Sequence, residues 1–354
     1  MRIVICGYYG EGNAGDEALL VAVLQMLPPG ATPVVLSGNP EQTRDRYGVE
    51  SHYRRSLPIL WKTLKSADAF IWGGGSLMQD ATSLANPFYY GGLMFLAQRL
   101  GLKTIAWAQG IGPLRRPIIR WLTRQILRRC TAISVRDQAS AKLLEHWQIQ
   151  SMLAPDPVWA LESFDDSAIQ TDDISEIPTP VVAVNLRAHP QLTPKRLEIL
   201  TQALVQFQQA CDIHLLLLPF QASQDLAIAR SIATQLTGFH HVLLLEDPRE
   251  LKGIFRQVDM TIGMRLHSLI MAAAEGSSCF AISYDPKVSQ LMDAISLPGW
   301  ELAQLPKQIE VISQTWIDAY DANAPLNYDQ RKSLRDQALR HAELLHQTLS
   351  VDMT

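Results

Sequence analysis

An arginine and a histidine stand where an apolar strand pattern gives way to a helical one, in the stretch TIGMRLHS at 261–268. The amides of a helix N-terminus attract anions, and a guanidinium fits the oxygens of phosphate or carboxylate. Histidine exchanges protons near neutral pH. Arg265 and His267 therefore predict an anion site with a proton-transferring neighbour. The alternative is a histidine that caps or packs within a domain interface.

Two more cations follow predicted strands in the same half of the chain. Arg187 ends the stretch NLR at 185–187, and Lys287 follows a strand pattern that ends at Ser283. Parallel strands bring their carboxyl ends to one edge of a sheet, so we expect both cations to approach the anion site. The alternatives are a solvated loop arginine and a lysine that pairs with Asp285.

Three glycine-rich segments follow strand patterns in the first half of the chain: GYYGEGNAGDE at 7–17, GGGS at 73–76 and QGIGP at 109–113. The first matches the dinucleotide pattern GxGxxG only literally, because the second strand ends in LSGN at 36–39 without a carboxylate to hold a ribose. Tight turning explains each cluster taken singly. Three such loops at one sheet edge nevertheless predict a ligand surface.

Three aspartates lie near the same predicted edge. Asp16 falls at a helix start, where capping alone explains a carboxylate. Asp137 follows the strand pattern at 132–135, and Asp156 lies between two prolines. A helix cap and a turn residue are the favoured interpretations of these last two. With a conventional strand order, both would lie on the cleft side of the first domain.

The elements that must position these residues alternate between short apolar runs and longer helical patterns, which indicates parallel sheets flanked by helices. We predict an α/β fold of two doubly wound Rossmann-like domains facing a cleft, the glycosyltransferase-B-like architecture. The predicted domains are residues 1–164 and 181–325, joined by an acidic, proline-punctuated linker at 165–180. Residues 326–354 are predicted to form a closing helix and tail. The predicted strands are 3–6, 33–36, 69–72, 104–108, 132–135, 181–186, 213–218, 242–245, 260–263 and 279–283.

Composition and charge narrow the function classes. The 354 residues are 47% apolar and carry a net charge of −4, which disfavours general nucleic-acid binding. The four cysteines show no zinc spacing, and neither a membrane span nor a signal peptide is evident. We therefore expect no metal and a cytoplasmic protein. Residues 115–129 form the pattern of an arginine-rich amphipathic helix, and the favoured interpretation is that its polar face is exposed to solvent. The alternative is a peripheral contact with lipid headgroups at the inner face of the membrane.

Seven segments in this order resemble the polysaccharide pyruvyl transferase family, in particular its CsaB-type members. The resemblance covers most of the chain. Its segments are GNAGDEA at 12–18, WGGGSL at 72–77, QGIGP at 109–113, SVRD at 134–137, DPV at 156–158, GMRLH at 263–267 and SYDPKV at 283–288.

The resemblance implies a transferase that moves a pyruvyl group from phosphoenolpyruvate to a sugar of a cell-surface polysaccharide precursor as a cyclic ketal. The acceptor would be a lipid-linked precursor, and no cofactor is expected beyond the donor substrate. The implied donor-binding residues are Arg187, Arg265, Leu266, His267 and Lys287, with His267 as the acid. The candidates for acting on acceptor hydroxyls are Asp16 and Asp137. The expected acceptor-binding residues are Gly12, Asn13, Gly15, Asp16, Gly74, Gly75 and Gln109.

Two other functions fit the same residues. A glycosyltransferase with a nucleotide-sugar donor would share the architecture and bind a diphosphate at the anion site. A non-catalytic protein that binds a phosphorylated metabolite would use Arg187 and Arg265 as clamps and His267 as a mere contact.

Overall fold

The structure, a computed structural model, describes residues 1–81, 84–164 and 180–350. The predicted linker at 165–180 lies outside the described residues except for Pro180. Contacts divide the chain into two compact units, Met1–Leu161 with Ser333–Thr354, and Glu162–Lys332.

Strands and helices alternate through the first unit as the sequence predicts, because its central strands are apolar runs and several of its helices have one apolar face. The elements are β1 (Arg2–Cys6), α1 (Ala14–Gln25), β2 (Thr32–Ser37), α2 (Pro40–Tyr47), β3 (Glu50–Tyr53), α3 (Leu57–Lys65), β4 (Ala69–Gly75), α4 (Ala85–Arg99), β5 (Lys103–Gln109), α5 (Pro117–Leu127), β6 (Ala132–Val135), α6 (Gln138–His146) and β7 (Met152–Leu153).

The described strands of this unit form one parallel sheet in the order β3-β2-β1-β4-β5-β6-β7. The order reverses between β1 and β4, which are hydrogen-bonded neighbours from Ile3 opposite Ala69 to Cys6 opposite Trp72. The loops after these two strands therefore lie at the switch point of the sheet, where doubly wound folds bind ligands.

The second unit repeats the alternation. Its elements are β8 (Val181–Asn185), α7 (Pro194–Cys211), β9 (His214–Leu217), α8 (Ala222–Ala233), β10 (His240–Val242), α9 (Pro248–Ile254), β11 (Met260–Gly263), α10 (Leu266–Glu275), β12 (Ser278–Ser283), α11 (Pro286–Ile295), β13 (Gly299–Glu301) and α12 (Ile309–Ala322). Its described strands form a parallel sheet in the order β10-β9-β8-β11-β12-β13, which reverses between β8 and β11.

The last part of the chain forms two helices, α13 (Tyr328–Ala338) and α14 (Arg340–Leu349), where the sequence predicted one. His341 of α14 is fully buried in the first unit. Its Nε2 lies 2.9 Å from the carbonyl oxygen of Pro155, and its Nδ1 lies 2.9 Å from Oγ of Ser134. Trp107 donates from its indole nitrogen to the carbonyl of His341. The first unit is thus completed by residues from the far end of the sequence.

Four short strands depart from the predicted pattern, and one of them, β13, is an edge strand that was not predicted. β3 has the sequence ESHY, which lacks the apolar run that marked the other strands, and it lies at the sheet edge. β7 is a two-residue edge strand, and β10 lies at 240–242 where 242–245 was predicted. Edge strands are paired on one side only, so they need fewer apolar residues. No helix among the described residues is both long and apolar enough to span a bilayer.

Candidate functional site

The two arginines of the second unit flank the switch point of its sheet. Arg187 lies two residues after the end of β8, and Arg265 lies two residues after the end of β11. Asn185 and Gly263, which end these strands, are paired in register. The fold therefore brings the two predicted donor-binding arginines to the same carboxyl edge.

Arg265 is buried and held by a carboxylate that the sequence did not identify. Its Nε and Nη2 each lie 2.7 Å from one oxygen of Asp225, which is completely buried. Asp225 also accepts the backbone amides of Phe220 and Gln221. Two of the three guanidinium nitrogens, Nε and Nη2, are thus engaged within the protein, and these bonds do not use Nη1.

Arg187 is positioned by two side-chain acceptors. It donates to Oη of Tyr284 at 2.7 Å and to Oε1 of Gln224 at 2.8 Å. Its guanidinium carbon lies 4.9 Å from the centre of the Tyr284 ring. Its Nε is buried and finds no hydrogen-bond partner among the described residues. Arg187 therefore keeps a donor for a ligand, which makes it the stronger candidate anion contact of the two arginines.

Tyr284 and His189 complete the surroundings of Arg187. The His189 ring packs against the Tyr284 ring with centroids 4.9 Å apart. Burial lowers the pKa of His189, and the positive charge of Arg187 lowers it further. Burial raises the pKa of Tyr284, with Arg187 acting against the rise. Tyr284 belongs to the segment SYDPKV that carries the family resemblance, but the sequence assigned a role neither to it nor to His189.

The remaining predicted donor residues occupy first turns of helices. Leu266 and His267 are the first two residues of α10, whose N-cap is Arg265 and whose start has no side-chain cap among the described residues. Lys287 is the second residue of α11, and its backbone amide donates to Oδ1 of Asp285. All three side chains are half-buried. Because β11 and β12 are neighbours, the starts of these helices lie at one edge.

In the first unit, Tyr9 ties together the loops after β1 and β4. Its hydroxyl donates to the carbonyl of Gly73, and the residue is 1% exposed. A Cβ atom at Gly73 would lie 2.1 Å from this hydroxyl oxygen, and one at Gly7 would lie 2.3 Å from Cζ of the same ring. Gly7 and Gly73 are therefore required by packing against Tyr9.

Glu17 fixes the shape of the first glycine loop. One carboxylate oxygen accepts the amide of Gly10 at 2.7 Å, and the other accepts the hydroxyl of Tyr47 at 2.8 Å. Burial raises the pKa of Glu17, against the effect of these hydrogen bonds. A Cβ atom at Gly10 would lie 2.1 Å from Oγ of Ser37. The loop is therefore closely packed at Gly10, whereas nothing lies within 4 Å of a Cβ atom at Gly12.

Asn13 and Asp16 lie together at the start of α1. Asn13 caps the helix by accepting the amide of Gly15 at 3.1 Å, and its Nδ2 donates to Oδ2 of Asp16 at 2.5 Å. The other oxygen of Asp16 lies 3.6 Å from the position of a Cβ atom on Gly75. Gly74 and Gly75 both have a φ of 87°, which glycine adopts without strain. The fold thus brings these predicted acceptor residues together.

Gln109 and Asp137 lie at the same sheet edge as these residues. Gln109 ends β5, the neighbour of β4, and Asp137 follows β6. Gln109 is buried and donates to the carbonyl of Trp107, while its Oε1 has no partner among the described residues; the same holds for Oγ of Ser76. A Cβ atom at Gly110 would lie 2.7 Å from Oγ of Ser76 and 3.2 Å from Oδ2 of Asp137. Asp137 also caps α6, so the helix-cap interpretation is correct as far as it goes.

Two arginines of the first unit have buried side chains; the sequence pointed to Arg136 only as part of the segment SVRD, and it did not point to Arg54. Arg54 lies 3.0 Å from a carboxylate oxygen of Glu11, and its guanidinium carbon is 5.0 Å from the centre of the Tyr8 ring. Arg136 donates to Asp156 at 2.5 Å, which gives Asp156 a role beyond that of a turn residue. Arg54 directly follows the edge strand β3, and it was missed because the apolar pattern of that strand is too weak to predict a strand there.

Neither metal ligation nor cysteine chemistry is indicated at these edges. Within residues 1–81, 84–164 and 180–350, no group of three or more His, Cys, Asp or Glu residues is arranged to hold a metal ion. The four cysteines are free thiols. Burial raises the pKa of Cys6 and Cys130 to about 12, so both stay protonated at neutral pH.

The order of segments along the sequence decides the family. The family model described as polysaccharide pyruvyl transferase matches residues 13–286, most of the chain; the match begins just after Gly12 and ends just before Lys287, so it includes the other predicted site residues. The chain belongs to this family. Members of the polysaccharide pyruvyl transferase family are transferases, and the predicted family is thereby confirmed. A comparison with curated proteins found no match.

Solved structures show that the fold of this family member is shared with UDP-GlcNAc 2-epimerases and with MurG. The UDP-GlcNAc 2-epimerase of Neisseria meningitidis, solved with UDP-GlcNAc, is similar with a TM-score of 0.65, 9% identity and coverage of 99% of each chain. The Methanocaldococcus jannaschii UDP-GlcNAc 2-epimerase is similar with a TM-score of 0.63 and 9% identity, and the match covers 98% of this chain and 100% of that one. MurG of Acinetobacter baumannii is similar with a TM-score of 0.54 and 10% identity, and the match covers 98% of this chain and 99% of that one. At these identities the likeness shows the glycosyltransferase-B-like fold alone, which confirms the predicted fold class.

Proposed function

We propose that this chain, like CsaB-type members, transfers the pyruvyl group of phosphoenolpyruvate to two hydroxyls of one sugar in a cell-surface polysaccharide precursor. The observation that carries the proposal is the placement of Arg187, Arg265 and His267 on both sides of the switch point between β8 and β11. Phosphoenolpyruvate carries a carboxylate and a phosphate on three carbons, so its site needs cations from more than one strand end.

On the donor side, Arg187 binds the carboxylate or phosphate through Nε and the outer edge of its guanidinium. The start of α10, at Leu266, adds the positive end of a helix dipole. Lys287 adds a further cation from the neighbouring helix start. Arg265, whose charge is balanced by Asp225, positions the first turn of α10 and meets the donor through Nη1. Together these groups stabilise the phosphate as it leaves.

The bond changes follow from the chemistry of an enol phosphate. His267 delivers a proton to the methylene carbon, and one sugar hydroxyl forms a bond to the adjacent carbon. The bond from that carbon to the phosphate oxygen then breaks, and the second hydroxyl of the sugar closes the ketal. The first hydroxyl proton restores the acid, and the second leaves with phosphate. Asp16 or Asp137 takes up a hydroxyl proton on the acceptor side before that proton passes to the acid or to phosphate.

The acceptor surface is assigned to the first unit. Ser76 and Gln109 each present a buried oxygen that has no partner among the described residues, next to the carboxylates of Asp16 and Asp137. Oxygen acceptors and carboxylates in one place suit the hydroxyls of a sugar, which donate hydrogen bonds. The other predicted acceptor contacts, Gly12, Asn13, Gly15, Gly74 and Gly75, surround this surface.

The proposal is tested with purified protein, phosphoenolpyruvate and a lipid-linked or aryl glycoside acceptor. We expect phosphate release that depends on acceptor and a product heavier by one pyruvylidene group. His267→Ala should abolish turnover but leave phosphoenolpyruvate binding by calorimetry within a few-fold. His52→Ala, in the first unit, is the matched control. Activity only with a nucleotide sugar, or acceptor-dependent turnover that survives in His267→Ala, contradicts the proposal.

A further inference from the structure

Large apolar side chains are exposed on the outer sides of three consecutive helices of the first unit. The most exposed are Leu57 at 76%, Trp121 at 57% and Ile118 at 56%. We call this set the apolar face. Its members are Leu57, Ile59 and Trp61 on α3, Phe88 and Phe95 on α4, and Ile118 and Trp121 on α5.

These three helices cover one side of the first sheet. Their inner residues, including Leu60 of α3, Met94 of α4 and Ile126 of α5, belong to one hydrophobic core. α4 and α5 pack directly, because a Cβ atom at Gly91 would lie 2.8 Å from Cδ1 of Ile126. The outer side chains of all three helices therefore face away from the sheet on the same side of the unit.

Positively charged side chains flank the apolar face. Residues 81–136 contain no aspartate or glutamate, and the exposed arginines on or beside α4 and α5 are Arg99, Arg115, Arg116, Arg120, Arg128 and Arg129. Ile118 and Trp121 of α5 and Arg128, which directly follows the helix, fall on one stripe at helical spacing, and Arg128 is exposed. On α3, Nζ of Lys65 lies 5.3 Å from the centre of the Trp61 ring.

We propose that the apolar face binds the surface of an anionic phospholipid bilayer. Exposed tryptophan and aliphatic side chains flanked by arginines match the boundary between lipid headgroups and acyl chains, where both are stabilised. A polynucleotide would be attracted to the arginines but would leave the leucine and isoleucine side chains in water. The proposal does not rest on the proposed function, because the apolar face lies on the helices and the candidate site at the strand ends.

The experiment is flotation of the full chain with vesicles of phosphatidylcholine alone or mixed with phosphatidylglycerol. We expect binding to the anionic vesicles that weakens as salt is raised. The double variant Ile118→Ser/Trp121→Ser should lower the partition coefficient on the order of tenfold or more, because both side chains leave the interface. Arg115→Gln/Arg128→Gln should lower it by about fivefold per arginine.

Val311→Ser is the matched control for Ile118→Ser, since Val311 is also exposed, at 47%, but lies on α12 of the second unit. It should leave the partition coefficient unchanged, and circular dichroism should show that all variants remain folded. Equal binding to neutral and anionic vesicles overturns the proposal, as does equal loss in Val311→Ser. A dimer in light scattering that dissociates in Ile118→Ser/Trp121→Ser would assign the face to a second copy of the chain and also overturn it.

Discussion

Arg265 and Asp225 form a buried two-pronged ion pair, with Nε and Nη2 of the arginine each 2.7 Å from an aspartate oxygen. The pair joins the start of α10 to the start of α8, on opposite sides of β8. It fixes the residue that precedes Leu266 and His267. The geometry of the candidate site therefore depends on a residue that lies outside the motif containing Arg265 and His267.

Asp225→Asn should lower the free energy of unfolding by about 3–5 kcal/mol, because it leaves a buried guanidinium without its counter-charge. Urea unfolding followed by tryptophan fluorescence measures the change. Asp247→Asn is the matched control, since Asp247 also binds an arginine side chain, that of Arg249, through both oxygens but at a more exposed position. The control should cost less than about 1 kcal/mol. Equal costs for the two variants would show that the Arg265 pair is not structurally important.

Arg187→Lys should raise the KM for phosphoenolpyruvate about 10- to 100-fold with a smaller change in kcat, because lysine keeps the charge but loses the planar donors. Steady-state phosphate release measures both constants. Arg196→Lys serves as the control; the Arg196 guanidinium donates to the backbone carbonyls of Gln191 and Ala303 and not to a candidate site residue. An unchanged KM in Arg187→Lys would remove Arg187 from the donor site.

Gly73→Ala should cost on the order of 3 kcal/mol of stability, because its Cβ atom would overlap the Tyr9 hydroxyl at 2.1 Å. Tyr9→Phe alone should cost about 1 kcal/mol through the lost hydrogen bond to Gly73. The double variant should cost at least about 1 kcal/mol less than the sum, since removing the oxygen relieves the overlap. Strictly additive costs in urea unfolding would contradict this contact.

Stability should fall as pH is lowered from about 6.5 to 4, because burial lowers the pKa of His341 to about 4. The unfolded chain takes up the proton first, near the ordinary histidine pKa, so protonation favours unfolding across this window. The loss attributable to His341 should approach about 3 kcal/mol at the acid end.

Urea unfolding at several pH values tests this sign. His341→Gln should be less stable at pH 7 but show a shallower dependence on pH. The exposed His346 lies on the same helix, and His346→Gln should keep the slope of the unmodified chain. The same slope in His341→Gln and the unmodified chain would assign the dependence to other groups.

The sequence predicted the strands whose residues are apolar and central. Residues 132–135 and 260–263 match β6 and β11 in both bounds. The edge strand β3 was missed, because a strand paired on one side carries too weak an apolar pattern. Since Arg54 follows β3, the residue was missed with it.

The site was predictable where its residues follow strands directly. Arg187, Arg265, His267 and Lys287 all lie at helix starts or strand ends, and local pattern is enough to place them. Asp225 was not predictable, because its contact with Arg265 spans 40 residues of sequence. That contact exists only because β9 and β11 lie on either side of β8, which single-sequence patterns do not reveal.

The burial of His341 against β6 has a consequence for the order of assembly during synthesis. Residues 1–161 leave the ribosome first but cannot complete their core until α14 has been made. The second unit, which is continuous in sequence, has all its strands earlier than that. We expect the later-made unit to reach its final packing before the earlier one, so translation order and folding order are reversed in this chain.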